Sequence, residues 1–284
     1  MRLSFEGLGR ARRARRAAAE LSERHPAPLV PWTPEYVDAH RAFVADLLDD
    51  AAALELFGDG DALPGGFGVG FDERVVEYPW LLTRAPRGRV LDAGSTLNHA
   101  HVLDRVLPAL SSLTITTLAP ESVAFPQRGV SYVFADLRAL PFRDGWFDTV
   151  VCVSTLEHIG LDNSVYGSAA ARASDPAAEA DAAVRELRRV TRPGGRLLVT
   201  VPYGAREDHG WFRQFDRDDL RRLLDPFDAD AVECAVFRYD ATGWQRSHLD
   251  DAAGACYRDF LADSRPVEDR AAAARAVACL TIRV

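Results

Sequence analysis

The chain has 284 residues, 48% hydrophobic and 27% charged, with a formal charge of −8 at neutral pH. That length suits one α/β domain plus an extension, and the composition supports a full core, which excludes global disorder. A protein whose main task is gripping phosphate backbones carries the opposite sign, so nucleic acid is not the expected partner.

All 34 lysine-or-arginine positions are arginine, which excludes a lysine Schiff base and a P-loop lysine. The four cysteines, Cys152, Cys234, Cys256 and Cys279, form no C-x-x-C pair. Cys152 and Cys279 fall in apolar runs, so buried free thiols in a reducing compartment are expected. No stretch approaches the ~18 apolar residues of a membrane span. The basic N-terminus has no apolar signal core after it. The expectation is a cytoplasmic protein with no membrane partner.

In chain order, a helix is expected over residues 10–24, with Arg10, Arg12, Arg13, Arg15 and Arg16 crowded into it. It is either a solvated helical face or a surface for an anionic partner. The proline-broken segment 25–34 cannot be regular helix. Thr33 offers an N-cap for a helix from Pro34 to about Phe57, with proline at its first position. A loop with six glycines follows at 58–70, then a helix over Asp72–Thr83. In this stretch Phe67, Phe71, Tyr78 and Trp80 either roof a ligand pocket or glue the extension to the rest of the chain. Residues 1–84 therefore read as an N-terminal helical extension or cap, and 85–284 as the main domain.

From Arg87 the pattern changes. Seven strands are expected at 89–94, 113–118, 130–135, 147–153, 195–201, 230–239 and 278–284. Helical segments near 97–107, 120–125, 155–160 and 176–191 separate the first five, and the Ala-rich stretch 169–183 is the lead-in to the last. Strand–helix alternation implies right-handed crossovers and a doubly wound parallel sheet.

Three stretches carry chemistry. V-L-D-A-G-S-T-L-N-H (90–99) ends a strand in a glycine turn and starts a helix, placing backbone N–H groups beside any ligand. A-D-L-R-A-L-P-F-R-D-G-W-F-D-T-V-V-C (135–152) spans the third and fourth strands. S-T-L-E-H-I (154–159) pairs with R-E-L-R-R-V-T-R-P-G-G-R-L-L-V-T-V-P (185–202) around the fifth, Pro193-Gly194-Gly195 being a tight turn.

Taken together and in this order, these segments resemble the class I S-adenosylmethionine (SAM)-dependent methyltransferases, in particular the type 11-like subfamily. The resemblance implies a Rossmann-like seven-stranded sheet of order 3-2-1-4-5-7-6 with an antiparallel last strand. It implies SAM as cofactor, held at Asp92, Gly94 and Ser95, at Thr117 and Leu118, at Asp136 and Leu137 and at Ser154. Asp136 would take the adenine amine, a donor that suits a carboxylate, or else serve as a helix N-cap. The chain departs from the family in two places. Ser95, Thr96 and Asn98 replace the later glycines of the first turn, and Thr117 stands where an acid usually accepts the ribose hydroxyls, with Glu121 as the alternative.

The implied activity is methyl transfer to O, N or C of a small molecule, such as a sugar or secondary metabolite. The alternative is a non-methylating regulatory or scaffold protein on the same fold with weak or vestigial SAM binding. Groups after the fourth and fifth strands face the acceptor in this fold. Of the titratable residues there, His209 and His158 are the candidate bases, and Glu157 serves if burial raises its pKa. Ser154 replaces the first Glu of the E-x-x-E-H pattern found in metal-assisted relatives, so no metal is assigned.

Overall fold

The computed structural model describes residues 5–58, 62–164 and 172–284. The positions 59–61 of the glycine-rich loop and 169–171 of the Ala-rich lead-in lie outside them. The principal sheet has eight strands: β1 (Gly88–Ala93), β2 (Leu110–Thr117), β3 (Val130–Phe134), β4 (Phe147–Val153), β5 (Thr191–Pro202), β8 (Val232–Asp240), β9 (Gly243–Ser247) and β10 (Ala276–Arg283). Two short strands, β6 (Glu207–Asp208) and β7 (Arg213–Gln214), form a separate antiparallel hairpin. The sheet order is β3-β2-β1-β4-β5-β10-β8-β9. The seven expected strands take their expected order, and the count is corrected by β9, an eighth strand antiparallel to β8. Its turn contains Gly243 at φ +96, where a Cβ would lie 2.3 Å from the Phe67 carbonyl oxygen.

Contacts divide the chain into two compact units. The first comprises residues 1–85 and 235–277, the second 86–234 and 278–284.

In the second unit β1 pairs in parallel with β2 and β4, β2 with β3, and β4 with β5. β4 and β5 are near-continuous buried runs, as a sheet covered on both faces requires. Helix α5 (Ala100–Val106) links β1 to β2, and α6 (Pro176–Val190) precedes β5. Asp175 caps α6 by accepting from the N–H groups of Ala177 and Ala178. The helix expected at 120–125 does not form. Glu121 and the Val123 carbonyl both accept from the Asn98 amide, at 2.8 and 2.9 Å, and this tether holds the loop off helical geometry until a 3₁₀ turn at Pro126–Arg128. The helix expected at 155–160 is a single 3₁₀ turn, Leu156–His158. After the hairpin comes α7 (Arg217–Leu224), not anticipated from sequence, although Asp216 and Asp219 form a capping box at its start.

In the first unit α1 (Phe5–Arg24) buries Ala14, Ala18 and Leu21 and leaves its five clustered arginines exposed. Helix α2 runs from Pro34 to Asp49, with Thr33 accepting from the Tyr36 N–H at 3.2 Å as expected of the cap. It stops earlier than expected because the Asp50 side chain accepts from Ala52 and Ala53 and starts the short α3 (Ala51–Leu54). Then comes α4 (Arg74–Thr83). Phe67 and Phe71 pack against Phe43, with ring centroids 5.5 and 5.1 Å away, and Phe57 packs on Phe237 at 5.8 Å. The Trp244 indole donates to the Phe71 carbonyl. The core of this unit therefore needs both of its chain segments.

Candidate functional site

The carboxyl ends of β3, β2, β1 and β4 lie side by side, so the sheet order gathers the groups that the sequence scattered over 92–154. Asp92, next to last in β1, is fully buried, and its Oδ2 accepts from the Leu97 N–H at 2.8 Å, which ties the strand to the turn. Gly94 has φ +121, and a Cβ there would lie 2.0 Å from Thr155 Oγ1. Only glycine fits, because the β4 loop occupies the space a side chain needs. Ser95 follows at φ +65, buried, with no hydrogen-bond partner for its Oγ. A buried hydroxyl left unpaired in a turn at four strand ends suits a polar ligand group.

Thr96, which replaces a family glycine, donates to the Val153 carbonyl at 2.8 Å, and Thr155 donates to the same oxygen at 2.9 Å. The glycine-poor turn is thus closed by bonds to the end of β4. Thr117 is the last residue of β2, half-buried, and Leu118 after it is exposed. Glu121 is held by Asn98, whose Oδ1 also accepts from the Tyr132 hydroxyl at 2.8 Å. This Asn98–Glu121 link was not anticipated. Its only sequence signal was the asparagine standing in a turn the family fills with glycine.

After β3, Asp136 caps no helix. Its Oδ1 accepts from the Arg138 N–H and Nε, both at 2.9 Å, and Arg138 also donates to Glu179. The guanidinium, more than any other influence, holds the Asp136 carboxyl below its ordinary value. Leu137 is buried. Ser154 follows β4 at φ +41, with its N–H bonded to the Thr200 carbonyl at 3.0 Å.

On the neighbouring loops Glu157 is buried in the 3₁₀ turn. Burial first, then the charges of Glu157 and Asp92, push the Cys152 thiol up, which marks it as an inert structural thiol. His158 Nδ1 lies 3.0 Å from the Trp211 carbonyl oxygen, and its ring stacks on Trp211 at 5.3 Å. His209 Nε2 lies 3.0 Å from Glu207 Oε2, and its ring stacks on Phe212 at 4.4 Å and 4°. The His158 ring is also 6.3 Å from Phe212. The hairpin therefore brings together two histidines some fifty positions apart in sequence, on one aromatic pair. Both partner oxygens only accept, which places the proton on Nδ1 of His158 and on Nε2 of His209. Among the described residues no group of three or more His, Cys, Asp or Glu is placed to hold a metal ion. All four cysteines are free, Cys152 and Cys279 buried. No described helix is long and apolar enough to cross a membrane.

The sheet order is that of a doubly wound α/β sheet, in which ligands bind outside the carboxyl ends of the strands. Residues 93–199 match the family model of the methyltransferase domain. Over that segment the chain is similar to a methyltransferase domain. No curated protein matches the chain. Among solved structures it is similar to YcgJ of Bacillus subtilis, at 16% identity over 73% of this chain and 97% of that one, with a TM-score of 0.46. It is also similar to the 1,6-didemethyltoxoflavin-N1-methyltransferase of Burkholderia thailandensis, solved with 1,6-didemethyltoxoflavin and S-adenosylhomocysteine, at 16% identity over 69% and 71% of the two chains and a TM-score of 0.40. A third is the [4+2]-cyclase SpnF, at 18% identity over 72% and 79%, with a TM-score of 0.42. These likenesses carry no information on the acceptor.

Proposed function

We propose that the protein transfers the methyl group of SAM to a small-molecule acceptor, with the cofactor at the ends of β1 to β4 and the acceptor over the Glu157–His158 turn and the β6–β7 hairpin. When bound, SAM supplies an electrophilic methyl on a sulfonium centre. The observation that carries the reading is the buried, partnerless Ser95 hydroxyl beside Gly94, at the point where four parallel strands end.

The chain's own groups divide the work. Gly94 and Ser95 cradle the amino-acid end of the cofactor. Thr117, Leu118 and the Asn98–Glu121 link line its ribose side, with Glu121 supplying the carboxylate that Thr117 lacks. Asp136, kept ionised by Arg138, accepts from the adenine amine, and Leu137 packs the ring; Ser154 borders the methyl-bearing end. Transfer is an in-line displacement, so positioning contributes most. Where the acceptor is a hydroxyl, His209 or His158 takes its proton. Glu207 orients the His209 ring. Glu157, closed into its turn, positions His158.

The reading is tested by calorimetry with SAM and S-adenosylhomocysteine, followed by a small-molecule screen with methyl-labelled SAM. Saturable binding of both and label transfer to a small hydroxyl or amine compound are expected. Failure of both nucleosides to bind refutes the site, and labelling confined to nucleic acid refutes the acceptor class.

A further inference from the structure

We infer that Arg213 marks an oxyanion site on the β6–β7 hairpin, one that takes a phosphoryl or carboxylate group of a small ligand. The hairpin also borders the proposed acceptor position, but the inference does not rest on the methyl-transfer reading.

Arg213 is 8% exposed, and its buried Nε has no hydrogen-bond partner among the described residues. A guanidinium cannot escape this by losing its proton, and an uncompensated buried charge is costly. Its plane is fixed by the Phe215 ring, with Cζ 4.7 Å from the centroid. A fork held rigid in this way binds with less loss of side-chain freedom.

The carboxylates nearby are already engaged. Asp208, opposite Arg213 in the hairpin register, is clasped by Arg172. Asp181 takes Arg222 at 2.8 Å. Asp219 faces Arg206 at 3.4 Å and completes the α7 capping box. Arg206 and Arg222 add further positive charge around the Arg213 guanidinium. Burial lowers the Arg213 pKa from its ordinary value and raises that of Asp219, and the attraction between the two only partly offsets this. A planar oxyanion completes the arrangement, because a carboxylate or phosphoryl group accepts two parallel N–H bonds from one guanidinium. Room for the rest of a ligand exists close by. A groove of about 420 Å³ between α6 and α7 is lined by Asp181, Arg185, Arg221 and Arg222, and Asp181 and Arg222 are among the charges that act on Arg213.

The test follows the melting temperature of the full chain against inorganic phosphate, acetate and chloride at matched ionic strength, in wild type, Arg213→Met and Arg213→Gln. A saturable rise with phosphate beyond that with chloride is expected in wild type. Both variants should lose that rise, with affinity down at least ~10-fold, the scale of a lost charge-assisted bidentate contact. Preference for phosphate over acetate assigns a phosphoryl ligand, and an equal response assigns a carboxylate. A wild-type response no larger than that to chloride overturns the proposal whether or not the variants fold, as does an unchanged phosphate response in either variant. Calorimetry with SAM reads the methyltransferase site separately, so each result can fail without the other.

Discussion

Replacing Glu73 by glutamine tests a carboxyl buried in the first unit. Glu73 is 8% exposed, and its Oε2 accepts from the Ala274 N–H at 3.2 Å. Its neighbour Asp72 is held ionised by His40, 3.1 Å away, and is pushed down to about 2. Burial, then the negative charges of Asp72 and Glu77, push the Glu73 carboxyl up from 4.5 to about 8. The folded state thus binds this proton more tightly than the unfolded chain does. The stability it contributes is complete below pH 4.5 and is lost as the pH rises through about 8. Each pH unit within that window costs about 1.4 kcal/mol, so some 3 kcal/mol, at that order of magnitude, has gone by pH 7. Glutamine keeps the carbonyl acceptor and removes the titration. The Glu73→Gln variant should match wild type near pH 4.5 and exceed it by about 3 kcal/mol at pH 7, or roughly 6 °C in melting temperature. Differential scanning calorimetry of both proteins from pH 4.5 to 8 measures the difference. Parallel pH profiles, or a variant less stable at pH 7, would show that Glu73 is ionised in the native state and would refute the argument.

Gly94→Ala forces a methyl onto Thr155 and a strained φ onto alanine. It should cost about 2–4 kcal/mol of stability and abolish SAM binding measured by calorimetry; normal binding would remove the glycine cradle from the site. Asp136→Ala should weaken SAM binding by about 1–3 kcal/mol, the scale of an unpaired buried polar group, while unchanged affinity would mean that other groups read the adenine. His209→Ala and His158→Ala, assayed at saturating SAM with the acceptor found by screening, should lower kcat ~100-fold for at least one of them if the acceptor is a hydroxyl. Wild-type kcat in both across pH 6–9 would leave positioning alone. Residues 1–84 expressed alone should show no cooperative thermal transition, because Phe57, Phe67 and Phe71 lose Phe237 and Trp244; a sharp transition would establish an autonomous domain.

Local signals in the sequence were strong where covalent geometry or side-chain chemistry fixes the backbone. Thr33-Pro34 marked the start of α2 because a hydroxyl cap and a proline at the first position act within four residues. Gly94 and Gly194 were readable because only glycine takes a positive φ cheaply, and both do so. The alternation of apolar strands with helices set the strand set through β5, and the motif resemblance supplied the order. The α2 stop at Asp50 was harder to see, since an aspartate mid-pattern reads as a solvated helical position until its side chain is found capping the next turn.

The elements missed depend on partners distant in the chain. No local pattern shows that Asn98 tethers Glu121 and so prevents a helix at 120–125, or that Arg138 clasps both Asp136 and Glu179. β9 is short, and Gly243 is required by the approach of Phe67, far away in sequence. The sequence by itself determined the doubly wound sheet, the turn after β1 and the residue types proposed to meet a cofactor, because periodicity and backbone sterics act over a few residues. The tertiary structure alone decided which charges are engaged, that His158 and His209 share one aromatic pair, and that Arg213 is buried with its Nε unpartnered. Burial and ion pairing belong to neighbours in space, and residue order does not specify them.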